Sequence, residues 1–236
     1  MTLPGGEISS RPLHFFWIVD CSGSMVGDKI QTVNNALDET IPEMIKIAGE
    51  NAKAHLFVRA LKFSSGAEWV VKDPTPVDQF KWIPLDADGV TDMGAAFELL
   101  SEELKMPPMP SRALPPVLVL ISDGQPTDDY KCGLRSIFNE PWGKKAVRIA
   151  IAIGDADVDT LKEFIADPEI PVLEARNPQA LTRFIKWVST AVVEKSINPP
   201  SKLPGEKGHS GIQISNDPIL EKSDPETKSS TEIDVW

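Results

Sequence analysis

The sequence predicts an α/β fold: a doubly wound, mostly parallel sheet with one antiparallel edge strand and helices on both faces. Three observations carry that expectation. Leu13–Val19 is a continuous apolar and aromatic run and Val117–Ile121 is wholly apolar, with Val147–Ile153 a further strand, as expected of strands whose two faces are covered by helices. Between such runs the apolar residues recur at helical period, so strand and helix alternate along the chain, and strands joined by helical crossovers lie parallel. The exception is Ala54–Phe63 followed by Ala67–Val71 across Ser64-Ser65-Gly66, a spacing that suits a hairpin and therefore an antiparallel edge.

Leu13–Val19 ends at Asp20, and Gly23 and Gly27 then break the chain. From Asp28, the expected N-cap, the residues Ile30, Val33, Ala36, Leu37, Ile41, Met44, Ile45 and Ala48 share one face of a long helix, with a kink or restart expected at Pro42. After the hairpin, Ala95, Ala96, Leu99, Leu100 and Leu104 give a helix over Gly94–Lys105, and Met106–Pro116 reads as a proline-studded loop. A short helix at Leu134–Phe138 precedes the third buried strand. Beyond it come a helix over Val158–Ala166 capped by Asp157, a brief strand at Val172–Leu173 and a closing helix over Pro178–Val193. Asn198 opens a stretch rich in Pro, Ser, Lys, Asp and Glu, so residues 11–196 read as one domain and residues 197–236 as a flexible tail.

A chain of 236 residues has room for one full hydrophobic core. Its formal net charge is −11, a field that repels phosphate backbones and favours cations, so no nucleic-acid partner is expected. The tail from Asn198 holds four basic and seven acidic residues, a net −3, which leaves −8 on the globular part. Cys21 and Cys132 are the only cysteines, too few and too far apart for a disulfide framework or a zinc site. Neither a signal-peptide core nor a membrane-length apolar run occurs, so no membrane partner and a cytoplasmic location are expected.

Chemistry concentrates in three loops. Asp20-Cys21-Ser22-Gly23-Ser24 follows the first buried strand; the alternation directs oxygens of Asp20, Ser22 and Ser24 to a common side, and Gly23 allows the tight path. Gly89-Val90-Thr91-Asp92-Met93-Gly94 sets a hydroxyl just before a helix, and Ser122-Asp123-Gly124 sets a carboxylate at the end of another buried strand. Each loop alone has a bland reading: Asp20 and Ser22 as helix caps, Thr91 as an N-cap, Asp123-Gly124 as a turn. In a doubly wound sheet all three belong at the same carboxyl edge, where ligands bind. An all-oxygen set rich in hydroxyls suits a hard divalent cation, Mg²⁺ or Mn²⁺, that keeps some of its water.

This order of motifs, D-x-S-x-S, then Thr91, then a strand ending in Asp123-Gly124, resembles the von Willebrand factor A domain over residues 11–196. The resemblance implies a Rossmann-like fold and a metal-ion-dependent adhesion site. In it Ser22, Ser24 and Thr91 touch the metal, Asp20 and Asp123 often act through water or hydrogen bonds, and one position stays open for a partner's Asp or Glu. Cys21 stands where Thr is usual; it is read as a packing residue whose thiol is open to oxidation. The segment from Ile149 to Asp157 and the following Leu161-Lys162-Glu163-Phe164 are similar to the bacterial tellurium-resistance-associated TerY proteins. That similarity implies a phospho-signalling complex with a metal-dependent protein phosphatase and a serine/threonine kinase.

No catalytic residue is expected. Nucleophilic chemistry by Ser22 or Ser24 needs an oriented histidine base, and His14, His55 and His209 have no evident route to the loops. A Mg²⁺-dependent phosphoester hydrolase is the alternative, for which the carboxylates are few. Asp155, Asp157 and Asp159 lack the pattern of an EF-hand and read as helix capping. In the tail, Ser223, Ser229, Ser230 and Thr231 lie among acidic residues and are expected either to be targets of an acidophilic kinase or merely to belong to a solubilising tail.

Overall fold

In the computed structural model of the protein, residues 10–51 and 54–197 are described. The expectations for the tail beyond Ile197 lie outside them. The strands are β1 (Arg11–Asp20), β2 (Ala54–Ser64), β3 (Gly66–Pro76), β4 (Val117–Ser122), β5 (Val147–Ile153) and β6 (Leu173–Ala175). The helices are α1 (Asp28–Gly49), α2 (Met93–Glu103), α3 (Tyr130–Asn139), α4 (Val158–Ile165), α5 (Pro178–Trp187) and α6 (Val193–Ile197). The strands form one sheet in the order β3-β2-β1-β4-β5-β6, parallel throughout except for β3 on β2.

The apolar runs became the central strands. From Leu13 to Asp20 and from Val117 to Ser122 every residue is buried, because helices cover both sides of these strands. One helical layer groups α1, α5 and α6; the other groups α2, α3 and α4, with the rings of Phe97 and Phe164 stacked 5.3 Å apart. Trp17, Trp82, Trp142 and Trp187 are buried, and Trp69 packs against the core from β3.

Several boundaries differ from expectation. Gly27, not Asp28, holds the N-cap position of α1; its φ of +89° is a left-handed turn that glycine adopts without a Cβ clash. Asp28 becomes the first helical residue, where its charge complements the helix N-terminus. Pro42 does not restart the helix, for α1 runs unbroken from Asp28 to Gly49. Pro42 and Asp38 are both exposed, so the carbonyl that loses its donor faces water.

The closing helix is interrupted. After Trp187 the chain passes through a π-helical segment, Val188–Val192, before α6. Here Ser189 Oγ and Thr190 Oγ1 donate to the carbonyls of Ile185 and Lys186 at 2.7 and 2.8 Å, local bonds that compete with the regular helical ladder. Asp157 caps α4 as expected, accepting from the Asp159 and Thr160 amides.

Candidate metal centre

From β1 the chain builds outward to β2 and β3, then returns beside β1 as β4 and builds outward the other way. The topological switch point therefore lies between β1 and β4, where open α/β sheets bind ligands beyond the strand ends. Val19 is in register with Ile121, so Asp20 stands level with Ser122 and Asp123 follows one residue beyond. Backbone bonds then fold the loops over that edge: the Gly23 amide donates to the Gly89 carbonyl at 3.0 Å and the Asp88 amide to the Cys21 carbonyl at 2.8 Å.

The structure links four of the five expected donors directly. Ser22 Oγ lies 3.0 Å from Ser24 Oγ, and Ser24 Oγ donates to Asp123 Oδ1 at 2.7 Å. Asp20 Oδ1 accepts from the Ser22 amide at 2.8 Å and Asp20 Oδ2 from Ser122 Oγ at 2.6 Å. Thr91 joins them through Gly124: a Cβ on that glycine would stand 3.2 Å from Thr91 Oγ1 and 3.7 Å from Asp20 Oδ2. The cradle thus closes around a position where any side chain would crowd the site.

Capping does not account for these hydroxyls. The Ser22 side chain makes no cap bond to the turn at Gly23–Met25, and α2 is preceded by Asp92 with Thr91 outside it. The free amides of α2 are taken by Asp128, whose oxygens accept from Gly94 at 2.8 Å and Ala95 at 2.9 Å. Thr91 is instead held by its backbone, its amide donating to Thr127 Oγ1 at 3.1 Å and its carbonyl accepting from the Thr127 amide at 2.9 Å. Its side chain is left for the cradle.

Electrostatically the centre is crowded with acidic groups. Burial pushes the Asp20 carboxyl above its ordinary range; the hydrogen bonds from Ser122 and Ser22 oppose this, and neighbouring Asp123 adds to it. Two carboxylates and three hydroxyls form an all-oxygen set that fits a hard divalent cation better than a thiophilic one. Among the described residues no group of three or more His, Cys, Asp and Glu is placed to hold a metal ion.

One charged residue escaped the sequence reading. Lys29, in the first turn of α1, places Nζ 2.6 Å from Asp123 Oδ2. A cation is disfavoured at a helix N-terminus, and that misplacement was the signal available. Ser122 was likewise passed over as a strand end, although it holds Asp20.

Two expectations about other residues change or sharpen. Cys21 does pack in the core, but burial, with Asp20 next, pushes its thiol up to about 12. Only the thiolate reacts readily, so burial and this shift both oppose the expected oxidation. His14 lies within β1, buried beside Phe16 and Phe57, and His55 is exposed at the start of β2, the end of the parallel strands remote from the loops.

Comparisons with known proteins agree with this architecture. Solved structures share the fold: the ArnB paralog VWA2 from Sulfolobus acidocaldarius aligns with a TM-score of 0.56 at 19% identity, over 75% of this chain and 45% of its own. The von Willebrand factor type A protein from Catenulispora acidiphila aligns with a TM-score of 0.55 at 17% identity, over 80% and 43%. Proximal thread matrix protein 1 from the mussel byssus, in a form with zinc occupying its MIDAS motif, aligns with a TM-score of 0.54 at 14% identity, over 79% and 46%. The chain thus spans less than half the length of these three structures, and no curated protein matches it in sequence. The von Willebrand factor type A domain matches residues 16–187, most of the chain and every donor of the oxygen cradle, and the protein belongs to that family.

Proposed function

We propose that Asp20, Ser22, Ser24, Thr91 and Asp123 hold one divalent cation, Mg²⁺ or Mn²⁺, and that the protein uses it to bind an acidic side chain of a protein partner. The supporting observation is the chain of hydroxyls from Ser22 through Ser24 to Asp123 beside the buried Asp20, none of them spent on capping. When bound, the ion supplies a hard centre for a carboxylate. Without it, a domain of this charge would repel an Asp or Glu.

The rim suits a contact surface. Val26 and Val90 are 61% and 46% exposed, and each lies within two residues of a donor. Apolar area around a charged anchor excludes water from it, the usual arrangement of an interaction hot spot. The zinc-occupied MIDAS motif of the byssal protein supports a metal at this place in the fold. The resemblance to TerY proteins supports a cytoplasmic phospho-signalling setting, with a metal-dependent protein phosphatase and a serine/threonine kinase as partners. Among the described residues no helix is long and apolar enough to cross a membrane.

We read the protein as a binding module rather than an enzyme, because neither described histidine reaches the serines. Affinity capture in Mg²⁺ and in EDTA tests this, with the Ser22→Ala, Ser24→Ala double variant as control. A partner retained in Mg²⁺ and lost both in EDTA and with the variant is expected. Undiminished capture by the variant overturns the reading, and phosphoester turnover abolished by Asp20→Ala would replace it with hydrolysis.

A further inference from the structure

The ion pair at the mouth of the centre carries a consequence for metal binding. Asp123 is fully enclosed, whereas the Lys29 side chain retains 21% of its exposure. Asp123 Oδ1 accepts from Ser24 and Oδ2 from Lys29, so both carboxylate oxygens are engaged. Among the described residues the ammonium is the one positive group paired with the cradle's carboxylates. It is also the partner that can leave: its flexible, partly exposed side chain starts in the first turn of α1, while Asp123 directly follows the end of β4.

Resting on the metal reading above, we propose that Lys29 is a tethered cation that holds Asp123 in the metal-free protein and must release it when a divalent ion binds. Lys29 thereby sets the metal affinity. An ammonium and a dication sharing one carboxylate repel each other, so the two states exclude one another. The exchange works by mass action: whatever stabilises the lysine-held state is subtracted from the binding of the ion. It also keeps the enclosed carboxylate neutralised when metal is absent, sparing the fold an unpaired buried charge.

Calorimetric titration of the full chain with MgCl₂ and with MnCl₂ tests the exchange, using wild type, Lys29→Gln and Lys29→Arg. For a partly exposed pair the expected gain in Lys29→Gln is about five- to tenfold tighter binding, with Lys29→Arg near wild type because it retains a cation. A second readout separates exchange from simple anchoring. The thermal midpoint of Lys29→Gln should fall below wild type without metal and meet it at saturating Mg²⁺; an anchoring role lowers both equally. Equal or weaker binding by Lys29→Gln, or a midpoint deficit that saturating Mg²⁺ does not remove, overturns the proposal. If both chains bind with equal affinity the metal reading survives alone, and if neither binds both readings fail.

Discussion

Folding strips the imidazole of His14 of its water. It is 4% exposed, faces the rings of Phe57 at 5.5 Å and Phe16 at 6.4 Å, and its Nδ1 has no partner among the described residues. Burial, reinforced by the Arg59 guanidinium, lowers its pKa from 6.5 to about 4. Between those values the unfolded chain binds a proton that the native chain refuses, so stability falls as pH falls through this window and is unaffected by His14 above it. The slope is at most about 1.4 kcal/mol per pH unit. Urea unfolding at pH 7, 6, 5 and 4 should show His14→Phe close to wild type at pH 7 and increasingly more stable below pH 6.5; a difference that stays constant with pH defeats this account. At this scale the sequence was legible for which oxygen-bearing residues gather at the sheet's edge, since three such loops follow buried strands or precede a helix at one rim. It was not legible for the Arg59–Glu103 ion pair at 2.8 Å, which joins residues far apart in the chain with nothing local to mark it, and for Lys29 the misplaced cation at a helix N-terminus gave a signal but not the partner.

Elements were recognisable where burial left one reading open. A wholly apolar run such as Val117–Ile121 had to be a central strand, and α4 announced itself through the Asp157 cap. Ends were harder, since backbone pairing continues beyond the side-chain pattern: β3 extends to Pro76 because Thr75 and Pro76 stay in register with Val58 and Phe57. The start of α3 at Tyr130 did have a sequence signal, the Asp129 side chain accepting from the Cys132 amide, and the periodicity reading overlooked it. Pro42 misled for a different reason: proline fixes φ near the helical value, so its penalty is a lost hydrogen bond and a steric push rather than an obligatory break. Restoring that donor should therefore strengthen α1. Pro42→Ala is expected to raise unfolding stability by about 1–2 kcal/mol, the recovered bond being partly offset by a freer unfolded chain. Urea denaturation checks the sign, and a destabilised variant would mean that the proline ring contributes packing its exposure does not show.

Across the whole molecule, the strand order makes the centre a product of long-range folding. Asp20 and Asp123 become neighbours only because β4 returns beside β1, and Thr91 arrives on the loop that precedes α2. A ligand that engages all of these segments binds the native chain and has no counterpart site in the unfolded one, so it must stabilise the entire fold by mass action. At a Mg²⁺ concentration a hundred times its dissociation constant the gain is about 2.7 kcal/mol, which for a domain of this size raises the midpoint by about 5–10 °C. A chain of net charge −11 also gains from simple screening of its self-repulsion, so the comparison is with KCl at matched ionic strength. Ser24 is exposed, and Ser24→Ala removes one donor without opening the core. Differential scanning calorimetry should give wild type a Mg²⁺-specific rise beyond the KCl control and Ser24→Ala a much smaller one. Equal rises in the two salts, or an undiminished rise in Ser24→Ala, would mean that the cation is felt by the surface as a whole and not by the rim of the sheet.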